Sequence, residues 1–222
     1  TDNWAWTTYD WTCDWLNGWT NTSCSATHSS PVYNIANSLL LNWGYFSMSP
    51  SSVDDSKTWT WSGWVKRVDV SGVQTLFWHR TPWSTADWWY MTTKLWIWRT
   101  SASSPKIETS SDYIDRRAWY HLVYILDTTN ATASERLRMY INGARITNLS
   151  VSNYPWLNSG LTINSLNQQY LGFSYDYTSF RWYLAEVNFI DWLAILPSNF
   201  WETINSIWTL KEYTGAYWSN GY

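Results

Sequence analysis

The sequence predicts an all-β fold in which two antiparallel sheets pack face to face as a sandwich. Short runs rich in β-branched and aromatic residues recur along the chain, and turn-forming residues separate them. No segment keeps a helical period beyond about two turns. About ten such runs in one chain of 222 residues are typical of a β-sandwich or a jelly roll.

Alternating and wholly apolar runs define the strands in the first half of the chain. The first run, 39–48, ends at the turn residues Ser49-Pro50. In 58–66, tryptophan and threonine alternate cleanly, and 74–78 is a further apolar stretch. Residues 118–126 are apolar on both faces, which favours a strand in the middle of the sandwich.

A hairpin is predicted where Asn142-Gly143 follows the alternating run 136–141, with 144–149 as the return strand. The runs 170–173 and 183–190 predict late strands, and 198–204 predicts a helical turn capped by Ser198. We expect the strand that contains Trp119 to be central and paired on both sides. We also expect six side chains to be buried between the sheets: Trp64, Trp119, Leu122, Val123, Met139 and Ile141.

Composition argues against two classes of function. Charged residues make up 14% of the chain and its formal net charge is −3, whereas a nucleic-acid-binding protein needs a basic stripe. No apolar run approaches the ~18 residues of a membrane span. The mean hydropathy of −0.38 and the pI near 5.5 predict a soluble chain with a packed core and no nucleic-acid partner.

One folded domain is predicted over 38–222, after an irregular lead-in over 1–37 that shows no sustained period. The lead-in holds both cysteines of the chain, Cys13 and Cys24. A disulfide that closes this loop is reasonable in an extracellular protein, but spacing alone does not fix the geometry. Two free thiols are therefore the open alternative.

Several motifs, in this order and spacing, resemble the concanavalin/laminin-G-like jelly-roll modules. They are Thr58-Trp59-Thr60 with Trp64-Val65-Lys66-Arg67, then DRRAWYHLV at 115–123, RMYING at 138–143 and LAEVNFID at 184–191. The ending, 213–222, is similar to a subset found in virion-associated proteins of bacteriophages. The resemblance covers 38–222. It implies a concanavalin-like jelly roll at a virion or cell surface, within a longer polypeptide.

Tryptophan stands at positions where this family has glycine. The chain has 22 Trp and 9 Gly, whereas average usage of about 7% would give roughly 16 glycines. UGA is read as tryptophan in some genetic codes and as glycine in others, so we expect many of these residues to be glycine in the organism. A tryptophan-rich binding surface is the alternative. The family positions concerned are Trp182, Trp192, Trp201 and Trp218, and the turn contexts are Trp43, Trp83 and Trp156.

The backbone offers a way to distinguish these two interpretations. Glycine is free to adopt positive φ, whereas tryptophan there is strained. We expect positive φ or a poorly placed ring at some of six positions: Trp43, Trp83, Trp156, Trp192, Trp201 and Trp218.

The late strand holds the candidate for catalysis. Jelly-roll endoglucanases of the laminarinase type carry two carboxylates on one strand, as nucleophile and general acid. Glu186 and Asp191 are the corresponding pair here, but Asn188 stands between them at a position that is acidic in those enzymes. We therefore predict a non-catalytic module, with an endo-acting glycoside hydrolase that uses Glu186 as the alternative.

Metal and cofactor sites have weak sequence support. No two histidines have the spacing of metal ligands, and His121, within an apolar strand, is predicted to be a hydrogen-bonded core residue. We expect no cofactor other than calcium, which the resembling modules often bind through loop aspartates. The calcium candidates are Asp112, Asp115 and Asp176. The alternative is that these residues cap turns.

Aromatic residues predicted on loops supply the candidate ligand-binding set, because their rings can stack on sugar faces. The set is Trp88, Trp89, Tyr90, Tyr175 and Tyr177. Alternatively, these rings fill the core or a subunit interface. The predicted partners are a glycan or neighbouring virion or surface subunits, including other copies of the chain, at an extracellular or virion-surface location.

Overall fold

The computed structural model describes residues 8–13, 22–27, 37–42, 44–50, 56–80, 86–99, 106–173, 181–204, 207–218 and 220–222. This part of the chain consists of seventeen strands and two 3₁₀ turns, Ala133–Glu135 and Pro197–Asn199, with no α-helix. Within the same residues, no helix has the length and apolar character needed to cross a membrane.

The strands follow one another along the chain as β1 (Thr8–Cys13), β2 (Thr22–Thr27), β3 (Leu39–Asn42), β4 (Phe46–Met48), β5 (Thr58–Arg67), β6 (Gln74–Arg80), β7 (Ala86–Met91), β8 (Leu95–Arg99), β9 (Lys106–Thr109), β10 (Tyr120–Asp127), β11 (Leu137–Ile141), β12 (Ala144–Arg145), β13 (Leu149–Asn153), β14 (Gln169–Leu171), β15 (Arg181–Asp191), β16 (Trp201–Ile204) and β17 (Ile207–Leu210).

Two large antiparallel sheets form the body of the fold. The six-stranded sheet has the order β12-β11-β10-β5-β15-β3, and the seven-stranded sheet has the order β13-β9-β8-β7-β6-β14-β4. Two hairpins, β1-β2 and β16-β17, pair separately. One apolar cluster contains residues of both large sheets, so the prediction of an all-β, two-sheet sandwich is confirmed.

The core between the sheets is built on closely packed aromatic rings. Trp89 of β7 lies against Trp59 and Tyr124 of the opposite sheet, with ring centroids 5.0 Å and 4.6 Å away. All three side chains are buried, and aromatic rings contribute large buried areas in such contacts. β10 pairs with β11 on one side and β5 on the other, so the predicted strand is central, although it begins at Tyr120 and Trp119 lies just before it.

The expectation that six named side chains lie between the sheets is only partly right. Leu122 and Met139 do belong to the core cluster, and Ile141 packs against it from a partly exposed position. Val123 is buried in a second cluster, and Trp64 is buried against His121. Because side chains alternate along a strand, Val123 and Trp64 lie on the outer face of the six-stranded sheet, away from the core. Trp119 also lies on the outer face and is partly exposed.

Two local predictions need correction. The helical turn predicted over 198–204 is restricted to Pro197–Asn199, and Trp201–Ile204 is a strand that pairs with β17. The return strand predicted over 144–149 is short, because β12 ends at Arg145 and β13 belongs to the other sheet. In the first case a local hairpin with β17 replaces the helical turn, and in the second β13 pairs with β9, which lies far earlier in the chain. Strand pairing decides both outcomes, and local residue preference does not report it.

The Asn142-Gly143 hairpin forms as predicted. Asn142 and Gly143 have φ of 49° and 77°, the two positive values of a type I′ turn. The Trp201 ring lies so close to Gly143 that an added Cβ would be 2.6 Å from ring atoms. Glycine is therefore required here both by the backbone and by the available space.

The C-terminal segment, described over 193–204 and 207–217, covers one half of the outer face of the six-stranded sheet. The Thr60 hydroxyl on β5 donates to the Leu193 carbonyl at 2.7 Å and accepts from the Ile195 amide at 2.8 Å. A small apolar cluster fills the contact: Val123, Ile125, Tyr140, Ile190 and Phe200. This cover explains why strand residues are buried on both faces along β10.

A β-bulge interrupts β15 at Glu186. Ala185 pairs with Trp64, whereas Asn188, three residues later, pairs with Ser62. One extra residue is therefore accommodated in β15, and Glu186 takes the left-handed φ of 48°. Bulges of this kind change the direction in which a side chain points.

Two tryptophans also adopt left-handed backbone conformations. Trp192 has φ of 64° and Trp218 has φ of 59°, and both rings are exposed. The expectation of positive φ is thus confirmed at two of the six positions. Trp156 and Trp201 keep negative φ, and Trp43 and Trp83 lie outside the described residues.

The lead-in over 1–37 contains one described hairpin. In its register, Cys13 is opposite Thr22 and Cys24 is opposite Trp11. The two cysteines are therefore diagonal neighbours and not directly opposite. The disulfide stays a prediction, as does the division of the chain at residue 37.

Candidate functional site

Among the described residues, nothing covers the other half of the outer face of the six-stranded sheet, and we call it the uncovered face. It comprises Leu40, Lys66 and Tyr183 on neighbouring strands. Trp119, Arg116 and Arg117, which lie just before β10, complete it. Lys66 pairs with Tyr183, and Tyr183 pairs with Leu40. Trp119 directly precedes Tyr120, which pairs with Val65. The alternation of strand side chains thus places these residues together in a row on one face.

Two aromatic rings form the apolar part of this face. The rings of Trp119 and Tyr183 have centroids 6.4 Å apart and planes inclined at 60°. Both side chains are partly exposed. Because the face of an aromatic ring carries negative charge density, it attracts the weakly positive C–H groups of a sugar ring.

Basic side chains form the polar part of the face. Lys66, Arg116 and Arg117 line a shallow depression of about 450 Å³, together with Tyr183. Within the described part of the chain, none of these three cations forms an ion pair. They are therefore available to a ligand.

Arg67 adds a buried charge on the inner side of the same strand. Its guanidinium donates to the carbonyls of Asp69, Thr92 and Tyr113 at 3.3, 2.5 and 3.0 Å, and lies over the Trp182 ring at 5.3 Å. Burial lowers the pKa of Arg67 to about 10. The group thus stays charged near neutral pH.

Two carboxylates lie near these cations, and backbone groups engage both. The Asp69 carboxylate accepts from the Ser71 amide at 3.0 Å, and this hydrogen bond, with a contribution from Arg116, lowers the pKa of Asp69. The Asp115 carboxylate accepts from the Arg117 amide at 2.8 Å. Both carboxylates stay negatively charged, but the four cations that line the depression, Lys66, Arg67, Arg116 and Arg117, outnumber them. The uncovered face therefore has an excess of positive charge in a chain whose net charge is negative.

A second depression, of about 360 Å³, is lined by β3, β4, β14 and β15 at one edge of the sandwich. Its described lining is mainly apolar, and Glu186 is the one carboxylate among those residues. The Gln169 side chain also lines it and is 1% exposed, with no partner for either amide atom among the described residues. This groove can hold the apolar part of a ligand, and the Gln169 amide can hydrogen-bond a polar atom beside that part.

The structure does not bring Glu186 and Asp191 together as a catalytic pair. Five residues of strand separate their Cα atoms by roughly 16 Å, whereas glycosidase carboxyl groups are about 5–9.5 Å apart. Asp191 is fully buried and accepts hydrogen bonds from the Asn164 amide and the Asn220 backbone. Asp191 is therefore a structural residue and faces no open cleft.

The predicted ligand-binding aromatics are not gathered into one described site. Trp89 is fully buried between the sheets, so no ring face remains for a sugar, and the prediction for Trp89 is wrong. The side chains of Trp88 and Tyr90 lie outside the described residues, as do Tyr175 and Tyr177.

The described calcium candidates are solvent-exposed turn residues. Asp112 and Asp115 are both exposed, and Asp176 lies outside the described residues. Among the residues that the structure describes, no group of three or more His, Cys, Asp and Glu side chains could hold a metal ion. Calcium binding stays a prediction.

The prediction for His121 is confirmed. The ring is 1% exposed, and its Nε2 is 2.8 Å from the Ser62 hydroxyl. Burial lowers the pKa of His121 to about 3, so the ring is neutral over the physiological range.

Sequence reasoning did not identify the uncovered face. The local signal is the pair Arg116-Arg117 close to Trp119, which forms part of the motif at 115–123. Tyr183 is more than sixty residues away in the chain. Only the pairing of β15 with β5 brings it beside Lys66.

Comparisons with known proteins give structural likenesses only. No protein-family model and no curated protein sequence matches the chain. Domain 4 of the extracellular arabinanase AbnA from Geobacillus stearothermophilus, solved with arabinotriose, matches with 17% identity and a TM-score of 0.46, over 86% of this chain and 78% of that domain.

Two further solved structures are similar over part of their length. Mouse laminin α1 domains LG4-5 match with 11% identity and a TM-score of 0.49, over 79% of this chain and 46% of that one. Trypanosoma rangeli sialidase matches with 16% identity and a TM-score of 0.43, over 60% of this chain and only 20% of the sialidase. These likenesses say nothing about what the present chain binds.

Proposed function

We propose that this chain is a non-catalytic module that binds carbohydrate through its uncovered face. The carrying observation is the pair of partly exposed rings, Trp119 and Tyr183, with Lys66 on the strand between them. A sugar ring can pack on the aromatic faces while the hydroxyls accept hydrogen bonds from the cations. Both rings are held on strands of the six-stranded sheet or directly beside one, so the platform is preorganised.

The setting that we propose is the surface of a phage virion, as part of a fibre, a spike or a capsid decoration, or otherwise a cell surface. The support is the sequence resemblance over 38–222, whose ending is similar to that of virion-associated proteins. Contacts with neighbouring subunits or other copies of the chain belong to the same proposal.

Alanine at Trp119 or Tyr183 is expected to weaken saccharide binding at least about tenfold, or about 1.4 kcal/mol. The loss follows from removal of one stacking surface. Binding is measured on an oligosaccharide array and then by calorimetry. Tyr45→Ala is the matched control, because Tyr45 is also an exposed aromatic residue, at 50%, but does not belong to the uncovered face. Its ring packs against Tyr170 of β14 and against Phe173.

Two results would contradict the proposal. One is saccharide binding that survives in the Trp119→Ala, Tyr183→Ala double variant when circular dichroism shows an intact fold. The other is release of oligosaccharide from a β-glucan that Glu186→Gln abolishes, which would make the chain a hydrolase.

A further inference from the structure

We propose that the uncovered face selects saccharides that carry an anionic substituent, a carboxylate or a sulfate group. This inference rests on the proposed carbohydrate-binding function and adds the chemical class of the ligand. It starts from the charge of the face, which is opposite in sign to the net charge of −3 of the whole chain.

The charged groups around the depression are unevenly paired. Lys66, Arg116 and Arg117 line it and form no ion pair within the described residues. The two nearby carboxylates, Asp69 and Asp115, each accept a backbone hydrogen bond. Both carboxylates stay negatively charged, but the three lining cations outnumber them, so a bound anion would meet a net positive charge.

Position decides how the cations act on a ligand. Lys66 lies on β5, between β10, which Trp119 directly precedes, and β15, which carries Tyr183. Lys66 pairs directly with Tyr183. A sugar ring that stacks on either aromatic residue thus has its substituents within reach of a flexible ammonium group. Arg116 and Arg117 supply planar guanidinium groups, whose N–H geometry matches that of a carboxylate or a sulfate.

The surroundings strengthen this preference. Arg67, buried on the inner side of β5, holds a further positive charge without an ion-pair partner among the described residues. Interactions with partly buried charges are screened less by salt than those with fully exposed ones. Neutral saccharides would gain only the stacking and hydrogen-bonding contacts.

The test compares charged and neutral oligosaccharides on the intact chain. A sulfated heparin-derived oligosaccharide and a carboxylated oligogalacturonate represent the two sources of anion, and a β-glucan oligosaccharide is the neutral probe. We expect at least one anionic probe to bind about tenfold more tightly than the neutral one at low salt, and this preference to shrink with added salt.

Charge variants then locate the preference. Lys66→Ala and Arg117→Ala are each expected to weaken binding of the anionic probe severalfold more than binding of the neutral probe, which loses a hydrogen bond but no ionic contact. Lys66→Arg is expected to keep the binding of the anionic probe. Lys211→Ala is the matched control, because Lys211 is exposed on the C-terminal segment.

The outcomes separate this inference from the proposed function. Equal, Trp119-dependent binding of charged and neutral probes overturns the anion preference but leaves carbohydrate binding in place. Absence of Trp119-dependent binding to any saccharide overturns both. An anion preference that Lys66→Ala and Arg117→Ala leave unchanged also overturns the inference.

A second inference rests on a different observation, the backbone at Trp192 and Trp218. We infer that both residues are glycine in the protein that the organism makes. Both have φ near +60°, where the side chain of any L-residue is strained and glycine is not. Both rings are also exposed, at 47% and 59%, so no burial of the indole offsets the strain.

The adjoining residues show that the fold itself demands this conformation. Asp191 directly precedes Trp192, and Tyr217 directly precedes Trp218. The Asp191 amide donates to the Tyr217 carbonyl, and Tyr222 exchanges two backbone hydrogen bonds with Phe189. The chain must therefore turn sharply at both positions to keep this pairing. Reading of UGA as glycine would supply the residue that these turns require.

Peptide mass spectrometry of the protein purified from its native source is the test. Glycine at 192 and 218 is expected, and each replaced indole lowers the peptide mass by a discrete step. Trp59 and Trp61, which are buried in the core, serve as internal controls and should remain tryptophan. Tryptophan at either 192 or 218 would overturn the inference.

Discussion

Acidification is expected to destabilise the protein strongly between pH 6.5 and about pH 4, because two histidines are buried in the neutral form. Burial lowers the pKa of His79 to about 4 and that of His121 to about 3. In the unfolded chain both rings have the ordinary pKa near 6.5. Below pH 6.5 the unfolded state therefore binds protons that the folded state does not, and stability falls as pH falls.

The expected loss is about 2–3 kcal/mol per histidine at pH 4.5, since each pKa unit corresponds to about 1.4 kcal/mol. Two such losses are comparable with the whole stability of many domains, about 5–15 kcal/mol. Urea denaturation from pH 8 to pH 4.5 measures the effect, with the free energy of unfolding as the readout.

Glutamine variants supply the control for this prediction. His121→Gln can still hydrogen-bond the Ser62 hydroxyl, and His79→Gln can do the same with the Ser165 hydroxyl, 3.2 Å from His79 Nε2. The double variant should show a much flatter pH profile, after normalisation to its own stability at pH 8. A profile as steep as that of the unmodified chain would mean that carboxylates and not histidines cause the acid sensitivity.

Glycine substitutions at tryptophan are expected to have opposite effects on stability at different positions. Trp61→Gly should cost at least about 3–5 kcal/mol, because it removes a large side chain from the core. Trp218→Gly should stabilise by up to about 1 kcal/mol, because relief of the left-handed strain, about 1–2 kcal/mol, exceeds the entropy cost of glycine. Trp192→Gly should resemble Trp218→Gly.

Trp156→Gly is the matched control, because Trp156 is also exposed, at 71%, but has negative φ. Its replacement removes no backbone strain, so no gain is expected. Thermal and urea denaturation give the ranking. The prediction is wrong if Trp218→Gly loses as much stability as Trp156→Gly does. The contacts of the indole at 218 would then contribute more free energy than the left-handed backbone strain costs.

The strands and the hairpin could be predicted from local sequence because their signals are local. Alternation in 58–66 and 136–141 and the Asn142-Gly143 turn depend on residues a few positions apart. The positive φ at Trp192 and Trp218 was likewise predictable from turn context and the resemblance to a known family. Such features concern one segment of chain and its own steric limits.

Assignment of residues to a face required the tertiary structure. Trp64 and Val123 are apolar residues of the kind expected in the core, yet both are buried on the outer face. Val123 is buried there because the C-terminal segment covers it, and Trp64 packs against His121. Trp89 was expected to bind ligand and instead packs against Trp59 and Tyr124. Burial of an aromatic residue depends on what lies opposite, and no local pattern contains that information.

By itself, the sequence determined the all-β class, the central strand, the tight hairpin and the positive φ at Trp192 and Trp218. The tertiary structure alone decided where a ligand site lies. Trp119, Lys66 and Tyr183 come from three separate segments, and the pairing of β15 with β5 brings two of them together. Strand pairing between distant segments depends on the energy of the whole sandwich, whereas turns and strand alternation depend on the sterics of a few adjacent residues.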